Sequence, residues 1–316
     1  MNEMFGPRKK AIAILCFILI APNLVAFFHA YNFTHFSNSA SERTDPKKLT
    51  LLGKLETLVF GVDNPRPVNT QRPPAPFETL VIPHGTDRIE CWYVPADSSK
   101  GTVLIFHGYA GNKSQMVKES NQFNEMGYAT ILVDFLGSGG STGSKTTIGF
   151  YESDQVKSVF DFVKKGGHER VIMFGTSMGA VAIMKSIYDH QLHPQSIILE
   201  CPFGDMLETV QARFRIMNAP VFPMSHLLTF WGGFQNNFNA FSHNPSDYAK
   251  EIEVETLLLY GMKDNRVSLE ETELIFKNLA GKKEVKLYPE AGHESILMKY
   301  ESEWIDDVCD FVDDGS

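Results

Sequence analysis

The stretch Gly175-Thr176-Ser177-Met178-Gly179 sets a serine between two glycines, each two residues away. A hydroxyl carried on so sharp a turn can serve as a nucleophile, and a Cβ at either glycine would strike the neighbouring elements. An apolar run at 171–174 leads into the turn, and a helical pattern with Val181, Ile183, Met184 and Ile187 leaves it. A serine hydroxyl is a weak nucleophile near neutral pH, so it needs a base beside it and an acid to orient that base. Among ten histidines, His293 follows the last strand-like run at 284–287, where a loop can reach back over a sheet edge. Asp264 follows the run at 256–260 and is the matching acid; Glu200 and Asp205 are the fallback acids. The chemistry these residues could perform is acyl transfer, which also needs two backbone N–H groups aimed at an oxyanion. Met178, next to the serine, supplies one; Tyr109, in His107-Gly108-Tyr109-Ala110-Gly111 after the run at 102–106, is expected to supply the other. Gly108 is expected to let that backbone come close, and His107 to act as a structural hydrogen-bonding group.

Such a constellation needs a sheet. Runs at 102–106, 129–134, 171–174, 196–199 and 256–260 are short and almost wholly apolar, as for strands buried on both faces. Helical stretches alternate with them, for example 151–165 with Val156, Val159, Phe160 and Val163 on one side. This order predicts a mostly parallel sheet flanked by helices, opened by an antiparallel pair at 78–83 and 88–95. The interval 203–254 is too long for an ordinary crossover and is predicted to be a cap insertion. Its Phe214, Val221, Phe222, Phe230, Trp231, Phe234, Phe238 and Phe241 suit a pocket for an apolar acyl group, and Arg213 and Arg215 could meet a carboxylate or phosphate head group. The acidic run at 301–314 is predicted to be one helix face, with Trp304, Val308 and Phe311 turned inward.

The segments around His107, Ser177, Asp264 and His293, in the chain order serine, acid, histidine, resemble the α/β-hydrolase superfamily over about residues 77–311. Within it, the short cap, Leu199-Glu200-Cys201-Pro202-Phe203 and the N-terminal apolar segment are similar to membrane-anchored α/β-hydrolase-domain proteins and monoacylglycerol-lipase-like enzymes. The resemblance implies an α/β-hydrolase fold and a carboxylic ester hydrolase with the triad Ser177, Asp264 and His293, and no cofactor. Asp134-Phe135-Leu136-Gly137-Ser138-Gly139 departs from a common family pattern by carrying Leu136 where arginine is frequent.

Arg8, Lys9 and Lys10 precede an apolar run at 11–28, long enough at 1.5 Å per residue to approach the hydrocarbon thickness of a bilayer. A signal peptide needs small residues at −3 and −1, and Phe28 stands two before Ala30, so an uncleaved anchor over 1–30 is expected; cleavage would instead release a secreted chain. The basic cluster on the N-terminal side directs the bulk of the chain to the extracytoplasmic side, periplasmic or luminal. Residues 31–76, rich in Ser, Asn, Thr and Pro, are expected to be a linker, with an amphipathic helix at 49–60, before a hydrolase domain at 77–316. Asn32-Phe33-Thr34 and Asn112-Lys113-Ser114 match glycosylation sequons.

The chain has 316 residues and a net charge of −9; residues 1–50 contribute +3, leaving −12 for the rest, which argues against nucleic acid as a partner. The four cysteines lack metal or dithiol spacing, and three lie in apolar runs that read as buried thiols; a disulfide between two of them stays open. The glycine-rich stretch 137–143 has Thr142 where a dinucleotide loop needs its third glycine, and 143–146 fails as a phosphate loop. The expected function is hydrolysis of acyl esters or thioesters, with no metal. The alternative is a proline-type aminopeptidase on the same triad, in which Glu200, Asp205 or Glu208 would bind a substrate amine. A silent scaffold at a membrane is a third reading.

Overall fold

The structure, a computed structural model, describes residues 7–37, 57 and 60–314. The apolar runs form strands because their side chains are covered on both faces: every residue of β3 (Thr102–Phe106), β4 (Ala129–Val133) and β6 (Ser196–Glu200) is buried. With β1 (Glu78–His84), β2 (Asp87–Val94), β5 (Val171–Thr176), β7 (Glu255–Gly261) and β8 (Lys283–Tyr288) they make one eight-stranded sheet, ordered β1-β2-β4-β3-β5-β6-β7-β8. Pairs β1–β2 and β2–β4 are antiparallel and all others parallel. The expected fold class is therefore the observed one.

The helices are α1 (Pro7–Thr34), α2 (Val117–Glu125), α3 (Glu152–Lys165), α4 (Met178–His190), α5 (Met206–Ile216), α6 (Met224–Gln235), α7 (Leu269–Asn278) and α8 (Glu301–Asp314). Their apolar stripes set their seats: Val156, Val159, Phe160 and Val163 of α3, and Trp304, Val308 and Phe311 of α8, are buried. Ser268 and Glu271 close the first turn of α7 as a capping box. Between β6 and β7 lie α5, α6 and three short helical turns, in the interval where an insertion was expected.

The segment after α1 is tied to the sheet's loops. Arg66 donates to the carbonyl oxygens of Ser138, Gly139, Ser141 and Gly143, Gly139 N–H donates to Pro67 O, and Asn69 donates to Asp134. This part of the chain, expected as a linker, is thus bonded to the 134–143 loop; the N–H of Leu136 donates to Gln155. The amphipathic helix expected at 49–60 lies outside the described residues. Asn112 is buried, with its amide donating to Val68 O and its oxygen accepting from Ser114, so that sequon is closed to modification. All four cysteines are free: Cys91 and Cys201 buried, Cys309 half-buried, and Cys16 exposed on α1 rather than buried.

Candidate active site

Four loops at the carboxyl edge of the sheet bring the expected residues together. Ser177 sits between β5 and α4 at φ +48°, ψ −111°, a strained conformation for a residue with a side chain. Its N–H donates to Glu200 O (2.8 Å), and its carbonyl accepts from Val181 N–H (3.0 Å), so the turn is held on both sides. A Cβ on Gly175 would lie 2.6 Å from Ala180 N, and one on Gly179 would overlap Phe106 O, which is why both positions are glycine. Gly108 is under less demand: an added Cβ would meet its nearest atoms at 3.5–3.6 Å.

His293 Nε2 lies 3.0 Å from Ser177 Oγ, and His293 Nδ1 lies 2.6 Å from Asp264 Oδ2. Asp264 has no side-chain exposure and its other oxygen accepts from Arg266 N–H (2.7 Å) and Val267 N–H (3.0 Å). Those two amides hold the carboxylate in place beside the imidazole. The fallback acids stand elsewhere. Glu200 accepts from Trp304 Nε1 (3.3 Å), and Asp205 caps α5 by accepting from Glu208 N–H (2.8 Å).

Tyr109 and Met178 both line the cavity that holds Ser177 and His293, a space of about 240 Å³. His107 is buried beneath it. Phe135 N–H donates to His107 Nε2 (3.1 Å), so Nδ1 carries the hydrogen and donates to Gly108 O (2.8 Å). Burial lowers the His107 pKa and favours this neutral form. The Gly108 carbonyl and the Tyr109 N–H share one peptide plane and point opposite ways. Holding that carbonyl therefore fixes the direction of the N–H, which gives the structural role expected for His107 a specific content.

Glu119, on α2, was not singled out by sequence. Its Oε1 accepts from Ser295 Oγ (2.7 Å), two residues past His293, while a backbone N–H from Ile296 reaches Glu200. Two buried carboxyl groups thus anchor the segment that carries the imidazole. No motif marks Glu119, because its partner lies 176 residues away. Burial, and then the charge of Glu119, pushes the Glu200 pKa from 4.5 up to about 8. Between those values the unfolded chain releases a proton that the folded chain keeps, so stability falls as pH rises from about 4.5 to about 8. Glu200→Gln keeps an acceptor for Trp304 and removes this dependence. We expect its melting temperature at pH 8 to exceed that of the parent by roughly 5–10 °C, with little difference near pH 4.5, as read by thermal unfolding.

The cavity walls mix Met116, Ile148, Phe203 and Val267 with Glu119, Glu200 and Arg213. None of the cap aromatics expected to form an acyl pocket lines it. Phe238 stacks on Phe150 (4.3 Å between centroids), Trp231 packs on Phe27 of α1, and Phe222, Phe230, Phe234 and Phe241 are exposed. Composition registers apolar side chains but not the surface they meet. Arg213 lies over the rings of Phe33 and Tyr109 (4.2 and 5.3 Å), and Arg215 pairs with Glu208. Sγ of Cys201 and one donor atom each of Asp264 and His293 lie within 4.8 Å of one another. Asp264 and His293 are hydrogen-bonded to each other, and burial pushes the Cys201 thiol well up and disfavours the thiolate a metal would need.

The family described as serine aminopeptidase, S33, matches residues 97–250. An esterase of Pyrococcus furiosus, Pf2001, superposes with a TM-score of 0.66 at 21% identity, covering 79% of this chain and 96% of that one. The chain has the α/β-hydrolase fold. It is 26% identical over 240 residues to the uncharacterized protein YqkD of Bacillus subtilis, covering 74% of this chain and 78% of that protein. It is also 28% identical over 150 residues to the lysophosphatidylserine lipase ABHD12 of Xenopus tropicalis, covering 45% of this chain and 36% of the lipase. The match to that lipase thus spans about a third of its length.

Proposed function

We propose that this α/β-hydrolase is a membrane-anchored serine esterase that cleaves carboxylic esters or thioesters of apolar acyl groups through an acyl-enzyme. The hydrogen-bonded line from Asp264 to His293 to Ser177, at 2.6 and 3.0 Å, carries the reading. Ser177 Oγ attacks the acyl carbon and its proton passes to His293 Nε2, while Asp264 accepts from Nδ1–H and stabilises the imidazolium. The N–H groups of Tyr109 and Met178 receive the oxyanion. The alcohol or thiol leaves with the proton from Nε2, and water repeats the sequence to free the acid. The apolar wall supports an acyl group, Arg213 at the cavity supports an anionic neighbour to it, and the name of the Xenopus relative supports a lipid-like ester. α1 is the anchor, placing the domain on the extracytoplasmic side if Arg8, Lys9 and Lys10 stay inside.

The aminopeptidase reading draws support from the family description, but the carboxylates it would use are engaged. Glu208 pairs with Arg215, Asp205 caps a helix, and Glu200, raised to about 8, is uncharged near neutral pH. A panel of p-nitrophenyl esters with acyl chains of about two to about sixteen carbons, set against aminoacyl anilides, tests both. We expect esters to exceed anilides in kcat/KM by on the order of 10²-fold or more, with the optimum above the shortest chain. Faster cleavage of the anilides would overturn the esterase assignment, and an optimum at acetate would remove the lipid-like substrate.

A further inference from the structure

From Ile12 to Ile20, α1 stands clear of the domain, with Ile12, Ile14, Leu15, Phe17, Ile18 and Leu19 each more than half exposed. At Asn23 it meets the cap. Trp231 Nε1 donates to Asn23 Oδ1 (3.1 Å), Gln235 donates to Phe27 O (2.8 Å), and the rings of Phe27 and Trp231 lie 5.2 Å apart. Ala26, Ala30 and Thr34 form the buried stripe along which this half of α1 is seated. The free part from residue 11 to residue 22 is about 18 Å long, whereas a bilayer's hydrocarbon is about 30 Å thick and takes about 20 residues. Counted from the last basic residue, Lys10, twenty residues end at Ala30, well inside the seated half.

Resting on the reading that α1 crosses a bilayer, we propose that α6 and the loop before it sit in the hydrocarbon of that same bilayer, as a second membrane contact. Length alone requires it, because the free part of α1 is too short to span, and whatever is packed on Asn23 and Phe27 must enter as well. The cap is built to allow this. From Ile216 to Ser246 there is no Asp, Glu, Lys or Arg. Phe222 and Phe234 are 73% and 66% exposed, and Phe230 is exposed beside them. Exposed aromatics at this density, next to a membrane span, make a lipid-facing surface rather than a water-facing one. The catalytic cavity then opens near the polar boundary. Phe33, three residues past Ala30, stacks on Tyr109 (4.6 Å), which lines the cavity, and Tyr109 O–H donates to Phe33 O (2.7 Å).

The test uses the full chain with Cys16→Ser and Cys309→Ser, reconstituted in vesicles of phosphatidylcholine and phosphatidylglycerol carrying nitroxide-labelled lipid. Phe17→Cys, Phe222→Cys, Phe230→Cys, Phe234→Cys and Leu274→Cys, all at exposed positions, are labelled singly with an environment-sensitive fluorophore. We expect lipid nitroxide to quench positions 17, 222, 230 and 234 several-fold more than position 274, and aqueous iodide to show the reverse order. If 222, 230 and 234 behave like 274 while 17 is quenched by lipid, the cap lies in water and the inference falls, although α1 still spans. If 17 also fails to be quenched, the membrane reading falls, and the inference with it; ester hydrolysis is measured separately and is untouched by either result.

Discussion

Ser177→Ala is expected to lower ester turnover by on the order of 10⁵–10⁶-fold and to abolish labelling by a fluorophosphonate probe, with the fold intact. The size of the loss follows from what the hydroxyl does: without Oγ there is no acyl-enzyme, and His293 Nε2, 3.0 Å from that atom, has no proton to take. The remaining machinery, with Tyr109 and Met178 still facing the substrate, should leave a residual rate above that of water. Circular dichroism and the unfolding midpoint should match the parent closely, because the turn is held by backbone bonds to Glu200 O and from Val181 N–H. Retained labelling, or turnover within tenfold of the parent, would place the nucleophile elsewhere.

The second large effect concerns Asp264. In Asp264→Asn, the side-chain oxygen should stay on Arg266 N–H and Val267 N–H, where Asp264 Oδ1 accepts two bonds. That leaves the NH₂ facing His293 Nδ1, so the imidazole must accept there and carry its hydrogen on Nε2. The serine then meets a donor where it needs an acceptor. A fall in kcat on the order of 10⁴-fold is expected, with unchanged fold, as comparable changes in other serine hydrolases suggest. A variant with near-parental kcat would show that Asp264 neither orients nor stabilises the imidazole.

Much of this arrangement is legible from residue order. Strands covered on both faces are mostly apolar, so β3, β4, β5, β6 and β7 stand out as short runs, and the ends of β5 and β7 point to the loops that carry Ser177 and Asp264, with His293 after β8. What stays hidden are pairings made only in three dimensions. Arg66 serves a loop more than seventy residues downstream, which makes the stretch around it part of the domain although its composition reads as a loose tether. Glu119 touches Ser295 from a helix with no motif. The cap aromatics are recognisable as apolar, but only the packing of Trp231 on Phe27 shows that they face the first helix and its surroundings rather than the cavity.

The seating of α1 bears on how the enzyme is prepared. Trimming the chain after the first helix, the usual route to a soluble fragment, would take away the Phe33 ring that stacks on Tyr109 and the carbonyl its hydroxyl donates to, and would leave Phe36, buried beside the same tyrosine, close to the new N-terminus. The fragment would keep Ser177, His293 and Asp264, but the loop that carries Tyr109 would lose its outer brace. Rates measured on such material would describe a weakened relative of the whole molecule.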